Sequence, residues 1–485
     1  MNILTIGLIT IPLFVGFLIY LLPKLDRYFA VAVSLFSAGY ALKLFFQPEP
    51  ITLNLLDNFG VTLQADELSG FFLLTNAFVT LAVILYCWET GKTAFFYIQA
   101  IILHGSINAV FICADFISVY VALEVIGIAA FSLISYSRTD RSIWVALRYL
   151  LISNVAMLFY LIGAILVYQT HHSFAFAGLQ GSPPEALALI FLGLLTKGGV
   201  FVSGLWLPLT HSESETPVSA ILSGVVVKTG VFPLIRCALV LEEINPIIRI
   251  FGMLTALLGV SYAIFEQDTK RMLALSTISQ LGFVLGAPAV SGFYALTHGL
   301  VKSALFLIAG TLPSRQFAEL KVRPMQTSLW IVVVITSLSI SGFPLLAGFG
   351  AKVLTLKNLL PWQVIAMNVA AVGTTIAFAK LIFLPHQATS SATEAKKPQR
   401  GFWLAMILLI GGLIGANIVY DQAYTLSNLT KAFATIGIGW LAYFLIFQRT
   451  SLKLPRFFEQ LDQLIGVMTL ILILLFWMGF TWLGT

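Results

Sequence analysis

The sequence predicts an all-α polytopic membrane protein, and three observations carry that prediction. Of its 485 residues, 59% are apolar and only 10% are charged, where a soluble domain carries about a quarter. Apolar runs of about 20 residues recur from end to end, each long enough to cross a hydrocarbon core of about 30 Å as a helix. No stretch shows the roughly ten-residue dyad alternation of an outer-membrane barrel. Candidate spans fall at about 3–22, 28–46, 69–88, 94–112, 115–136, 143–168, 186–208, 217–241, 247–265, 272–289, 291–312, 326–356, 363–385, 402–420, 429–448 and 463–482. That is about fourteen core spans and two more at the C-terminal end.

Each span has its own signature. The first starts at about Asn2 with no basic segment before it and no clear cleavage site, so it reads as a retained span. The fifth opens at Asp115, a residue type that caps helix N-termini. The sixth carries Arg148. The seventh, 186–208, is interrupted: Lys197 is followed by Gly198, Gly199, Gly204 and Pro208. The twelfth, 326–356, is interrupted at Gly342 and Pro344, ahead of Lys352. Glycine weakens a helix and proline removes a backbone donor. Such breaks persist at membrane depth only where protein or a polar cavity surrounds them, and paired breaks point to an ion path. The thirteenth span carries Lys380, near enough to one end to snorkel and so off any path.

The loops set an orientation. Those after odd-numbered spans hold Lys24, Arg27, Lys92, Arg138, Arg141, Lys270, Arg271, Arg315, Lys321, Arg323, Lys396, Lys397, Arg400, Arg449, Lys453 and Arg456. Those after even-numbered spans hold only Lys43, Arg249, Lys357 and Lys431. Positive loops stay cytoplasmic, which places the N-terminus on the opposite side.

Several functions are excluded. The net charge of +6 is accounted for by these loops and implies no nucleic-acid partner. Cys87, Cys113 and Cys237 lie in apolar segments without ligand spacing, so neither a disulfide framework nor an iron–sulfur site is supported. There is no glycine-rich dinucleotide or phosphate loop. His171 and His172 form only an adjacent loop pair, too little for a metal site. No catalytic, cofactor or metal residues are assigned.

The informative residues are charges inside apolar spans: Glu124, Lys197, Lys228, Lys302 and Lys352. A charge at the bilayer centre costs roughly 2.5–3.5 kcal/mol on insertion scales. One or two would be explained as ion pairs between helices; five on separate helices point to ions or protons using them. Lys197 and Arg148 are the candidate partners for Glu124. Asp115 lies nine residues before Glu124, ~13 Å along a helix, and reads as interfacial. His298 and Lys302, four apart, share one helix face, and a histidine titrates near neutrality, so the pair suits a relay.

In these residues the chain resembles the proton-channel membrane subunits shared by complex I, membrane-bound hydrogenases and Mrp-type Na⁺/H⁺ antiporters. Four segments carry the resemblance across about residues 60–360: Asp115 to Glu124; Lys197 through Trp206, Pro208, His211 and Thr216–Ala220 to Lys228; Asp268 through Ser276, Gln280 and Gly282 to His298, Lys302 and Phe306; and Gly342, Pro344, Gly348 to Lys352. The first looks nearest to the D component of Mrp antiporters. The resemblance implies two antiporter-like halves with two broken helices. It implies a carboxylate, Glu124, whose pairing with Lys197 switches, a central Lys228, a His298–Lys302 relay and a terminal exchanger, Lys352. Arg148 and His211 join the pathway as lesser candidates. The chain departs from the family pattern at Gly204, where a histidine is common, at Leu209 (Asp), Glu215 (Pro) and Arg148 (Lys), so either the input path near spans six and seven differs or the coupling is weakened. The closing spans, with Trp440 and Leu454–Pro455, match no motif.

The reading is a membrane subunit of a complex I-like or Mrp-like assembly that moves H⁺, alone or in exchange for Na⁺, through this line. Residues 1–112 and 361–485 flank a channel core at 113–360. The chain itself would bind no cofactor; quinone and NAD(P)H would enter only through partner subunits. The membrane would be a bacterial inner membrane or a thylakoid. The alternatives are a vestigial channel kept for structure and a subunit that handles quinone itself.

Overall fold

In hydrocarbon every backbone donor must find its acceptor within the segment, so apolar runs fold as helices. The structure is a computed structural model that describes residues 2–56, 60–388, 398–448, 452 and 454–482. Lys396, Lys397, Arg449 and Lys453 lie outside the described residues. Among those described, twenty helices follow in order: α1 (Asn2–Leu21), α2 (Asp26–Leu44), α3 (Glu67–Cys87), α4 (Ala94–Ile112), α5 (Phe116–Ile134), α6 (Asp140–His171), α7 (Pro184–Lys197), α8 (Leu207–Glu213), α9 (Thr216–Ile221), α10 (Lys228–Val240), α11 (Asn245–Phe265), α12 (Thr269–Gly286), α13 (Ser291–Ala309), α14 (Phe317–Leu320), α15 (Thr327–Ser341), α16 (Ala347–Lys357), α17 (Val364–Ile382), α18 (Arg400–Val419), α19 (Leu426–Ala442) and α20 (Leu461–Trp482).

Among the described residues, 13 helical stretches are long and apolar enough to cross a membrane. Helices α2 and α12 fall outside that set: α2 carries Asp26, Arg27 and Lys43, and α12 carries Lys270, Arg271 and Gln280 with its whole length buried. The centre of the bundle is formed by α9, α10, α12 and α13, which the other helices surround.

Sequence patterning misses the short strand pairs outside the helices. Strands β1 (Ile51–Leu56) and β2 (Gly60–Ala65) pair antiparallel, with Ile51 opposite Ala65. The hairpin sits on the start of α5. Asp115 caps that helix through the Ser118 N–H (2.7 Å), and its second oxygen takes the Thr62 N–H (2.8 Å). Asp115 is thus the capping group its position predicts.

Both predicted breaks are present. Between α7 and α8 the chain turns at Gly199 (φ +67°) and Phe201 (φ +54°) and runs as a 3₁₀ turn over Phe201–Trp206. The freed Phe201 N–H donates to the Thr255 hydroxyl (2.9 Å), and the Trp206 indole donates to the Thr196 carbonyl (3.0 Å). Between α15 and α16 the turn uses Gly342 (φ +85°) and Leu345 (φ +78°), whose N–H donates to the Tyr424 hydroxyl (2.8 Å). Protein groups therefore replace the lost helical bonds.

Two charge clusters brace the ends. Arg236 clamps Asp66 with two bonds (2.5 and 2.6 Å) and adds the Ser69 hydroxyl (2.8 Å), tying α10 to α3. At the opposite end Arg271 bonds Glu266 (3.0 Å) and Glu459 (2.6 Å), and Arg456 bonds Glu266 (3.1 Å). Lys380 does not snorkel outward. It turns inward and caps the last turn of α11 through the carbonyls of Ala263, Ile264 and Glu266 (2.8–2.9 Å), satisfying acceptors the helix end leaves open.

Candidate functional site

The break after Lys197 places its ammonium against α5. A β-carbon at Gly127 would lie 3.3 Å from Lys197 Nζ and 3.6 Å from Ser153 Oγ. Gly127 is three residues past Glu124, on the same face of α5, so its missing side chain makes the slot that Lys197 fills. Lys197 donates to Ser153 (2.5 Å) and lies 5.9 Å from the Tyr149 ring. Glu124 is half-buried and feels the Lys197 charge, yet the two are not within ion-pair distance among the described residues. The structure shows this pair open, with a serine hydroxyl holding the lysine.

Arg148, the other proposed partner of Glu124, is elsewhere. Its guanidinium donates to the main-chain oxygen of Glu459, in the segment before α20, and lies 5.9 Å from the Trp144 ring. An arginine that holds its proton and has a fixed acceptor braces the bundle here.

Lys228 begins α10, directly after a π turn over Leu222–Val226. Such a turn loosens the carbonyl ladder, and Lys228 bonds two of its carbonyls, Gly224 and Ser223 (3.4 Å for the latter). Gly299 on α13 faces it; a β-carbon there would lie 3.5 Å from Lys228 Nζ. The α7 and α10 backbones touch through two glycines beside these lysines. A β-carbon on Gly230 would come within 2.3 Å of the Gly198 nitrogen.

Lys302 on α13 is fully buried. It donates to the Leu273 carbonyl of α12 (3.0 Å) and lies 5.2 Å from the Phe378 ring. His298, one turn earlier, is also buried, and neither ring nitrogen has a hydrogen-bond partner among the described residues. It lines a cavity of about 10 Å³, room for about one water centre, together with Gln280, Tyr294, Ser339 and Lys352. Lys352 folds back over its own helix break and donates to the Ser341 carbonyl (3.1 Å). The cavity thus joins His298 to Lys352.

His211, at the end of α8, stacks on Phe306 of α13 (4.7 Å between centroids). Its ring nitrogens are buried without partners among the described residues, and Lys270 and Lys302 are its charged neighbours. It lies near Lys270, toward the end of the bundle that carries the basic loops.

Two of the departures from the family pattern have local causes. At Gly204 a β-carbon would lie 2.1 Å from the Gly199 oxygen, so no side chain fits this turn. Glu215 precedes α9 and pairs with Lys92 of the α3–α4 loop. Sequence reasoning missed Ser153, Gly127, Ser223 and Thr277. A glycine one turn after a buried carboxylate was the only available signal, and it pointed to Gly127 alone.

Comparison with known proteins follows the same residues. Residues 113–377 match the family described as "NADH:quinone oxidoreductase/Mrp antiporter, TM". The chain is 32% identical to the N component of the NADH-quinone oxidoreductase of Desulforudis audaxviator over 281 residues, covering 52% of this chain and 56% of that relative. It therefore spans little more than half of that relative. It is 29% identical to the D component of the Na(+)/H(+) antiporter of Alkalihalophilus pseudofirmus over 393 residues, covering 73% of this chain and 80% of that one. Its fold superposes on a chain of the Mrp complex from Dietzia sp. DQ12-45-1b with a TM-score of 0.75 at 18% identity, covering 96% of this chain and 100% of that chain.

Proposed function

From the premise that the chain belongs to the NADH:quinone oxidoreductase/Mrp antiporter transmembrane family, we propose that it is an ion-translocating subunit of a larger membrane complex. It carries protons, alone or in exchange for a cation, along the line Glu124, Lys197, Lys228, His298 with Lys302, and Lys352. The relatives that support this are named as subunits of a quinone oxidoreductase and of a sodium/proton antiporter.

One observation carries the reading. Lysines that joined helices as ion pairs would face carboxylates. Among the described residues none of Lys197, Lys228, Lys302 and Lys352 has an acid within 4 Å. Each amine rests instead on a hydroxyl or a main-chain oxygen. Such acceptors hold an ammonium without fixing it in the charged state, as a strong ion pair would.

The mechanism is electrostatic coupling along the line. When Lys197 leaves Ser153 for Glu124, their charges cancel, and the field on Lys228 changes by a few kcal/mol in a partly hydrated interior. Lys228 then gains or releases its proton toward Lys302, and the cavity beside His298 passes it to Lys352. The core is assigned to residues 113–360, with 1–112 and 361–485 as flanking helices. Quinone and nicotinamide chemistry belongs to partner subunits. The basic loops favour an N-terminus on the non-cytoplasmic side, and the membrane is read as a bacterial inner or thylakoid membrane.

The test uses the intact complex in proteoliposomes. Lys228→Ala and Glu124→Gln are expected to abolish the ion-coupled pH gradient while the complex still assembles. An unchanged gradient in both variants sinks the proposal.

A further inference from the structure

The predicted line leaves a gap between Lys228 and Lys302, because His298 bonds neither of them among the described residues. Other groups close it. Lys228 donates to the Ser223 carbonyl (3.4 Å) and to that of Gly224. The Ser223 hydroxyl lies 2.7 Å from the Thr277 hydroxyl on α12. Thr277 donates to the Leu273 oxygen (2.9 Å), and Lys302 donates to that same oxygen (3.0 Å). A hydroxyl has one proton to give. With the Thr277 proton on Leu273, Ser223 must be the donor to Thr277. The polar run is therefore directional, and both hydroxyls are fully buried.

We propose that Ser223 and Thr277 form the hydroxyl bridge that carries the proton between Lys228 and Lys302. The inference rests on the reading that protons move along this line. The Lys228 ammonium swings from the Ser223 carbonyl to the Ser223 hydroxyl oxygen and gives its proton there. The proton already on Ser223 passes to Thr277 Oγ1. The Thr277 proton leaves the Leu273 oxygen for the neutral amine of Lys302, its neighbour on that shared acceptor. Lys228 ends neutral and Lys302 charged, and each hydroxyl has as many protons as before. Rotation of the two O–H bonds resets the bridge. Two ammonium groups so placed repel, so the transfer runs only when one lysine is neutral. The π turn matters because it frees the carbonyls that hold Lys228 beside Ser223.

The experiment compares Thr277→Val, which keeps the shape and removes the hydroxyl, with Thr277→Ser, which keeps the hydroxyl. Both are made in the intact complex, alongside Lys228→Ala. The readouts are the initial rate of ion-coupled pH-gradient formation per assembled complex and the solvent deuterium isotope effect on it. The valine variant is expected to slow the rate at least about tenfold, in the range of a lost proton-transfer group, with assembly unchanged. The serine variant is expected to restore both the rate and the isotope effect. A wild-type rate in Thr277→Val beside an inactive Lys228→Ala overturns the bridge and leaves the pathway standing. Equal slowing by valine and serine also overturns it, since packing would then be the cause. An active Lys228→Ala overturns the pathway itself.

Discussion

Gly230→Ala tests the contact between the two lysine-bearing helices. The new β-carbon would stand 2.3 Å from the Gly198 nitrogen, 2.6 Å from the Gly198 α-carbon and 2.6 Å from the Leu194 oxygen. All three are backbone atoms, which no rotamer change can move. Ordinary contact begins near 3.4 Å, so α7 and α10 must part by about 1 Å. Overpacking of this kind costs about 1–3 kcal/mol. Gly198 adjoins Lys197 and Gly230 lies two residues past Lys228, so the shift also misplaces both lysines. A 1 Å error at a reacting site costs up to about a hundredfold in rate. The assay is thermal unfolding of the detergent-solubilised complex, together with the initial rate of pH-gradient formation in proteoliposomes. Gly230→Ala is expected to lose stability and most of the rate. Gly411→Ala, whose β-carbon meets nothing within 4 Å, is the control and should lose neither. Wild-type unfolding and wild-type rate in Gly230→Ala would refute the close approach of α7 and α10.

Ser153→Ala removes the hydroxyl that holds Lys197, a charge-assisted bond of about 1.5–3 kcal/mol. It is expected to bias the lysine toward Glu124 and slow coupled transport about tenfold, with Ser153→Thr near wild type; equal rates in the two variants would contradict this. Asp66 lies outside the spans. Burial pushes its carboxyl up, but the Arg236 guanidinium and the bonds from Ser69 outweigh burial and hold it below the ordinary range. Its stabilising contribution is present above the ordinary aspartate range and is lost as the pH falls through the lowered folded value. Asp66→Asn should therefore destabilise the protein at neutral pH and flatten the acid limb of its stability curve, measured by thermal unfolding across pH; an acid limb as steep as wild type would contradict the pairing.

The charged line was legible because a Lys or Glu inside an apolar run contrasts sharply with its neighbours. The helix breaks were legible for the same reason, as Gly and Pro punctuate Lys197 and Lys352. The partners of those lysines were not. Ser153, Ser223 and Thr277 look like ordinary membrane-helix hydroxyls, and Ser223 and Thr277 meet across 54 residues of chain. Main-chain acceptors such as Leu273 and Ser341 leave no trace in residue identity. Adjacent spans suggest Arg148 as a partner of Glu124, but its acceptor is a backbone oxygen 311 residues away. The hairpin at 51–65 was missed because alternation over six residues is faint beside so many long apolar runs. The family departure at Gly204 was visible, but only the turn geometry explains why a side chain is absent there.

The reach of Glu459 bears on how the molecule is made. A ribosome delivers Arg148 and Arg271 to the membrane long before it reaches residue 459. Until then the guanidinium of Arg148 lacks its carbonyl, and Arg271 lacks one of its two carboxylates. Helix α20 then packs along α7 and against the 3₁₀ turn that follows it. The surroundings of Lys197 are therefore assembled from segments far apart in the chain, and insertion of α20 is the step that completes them.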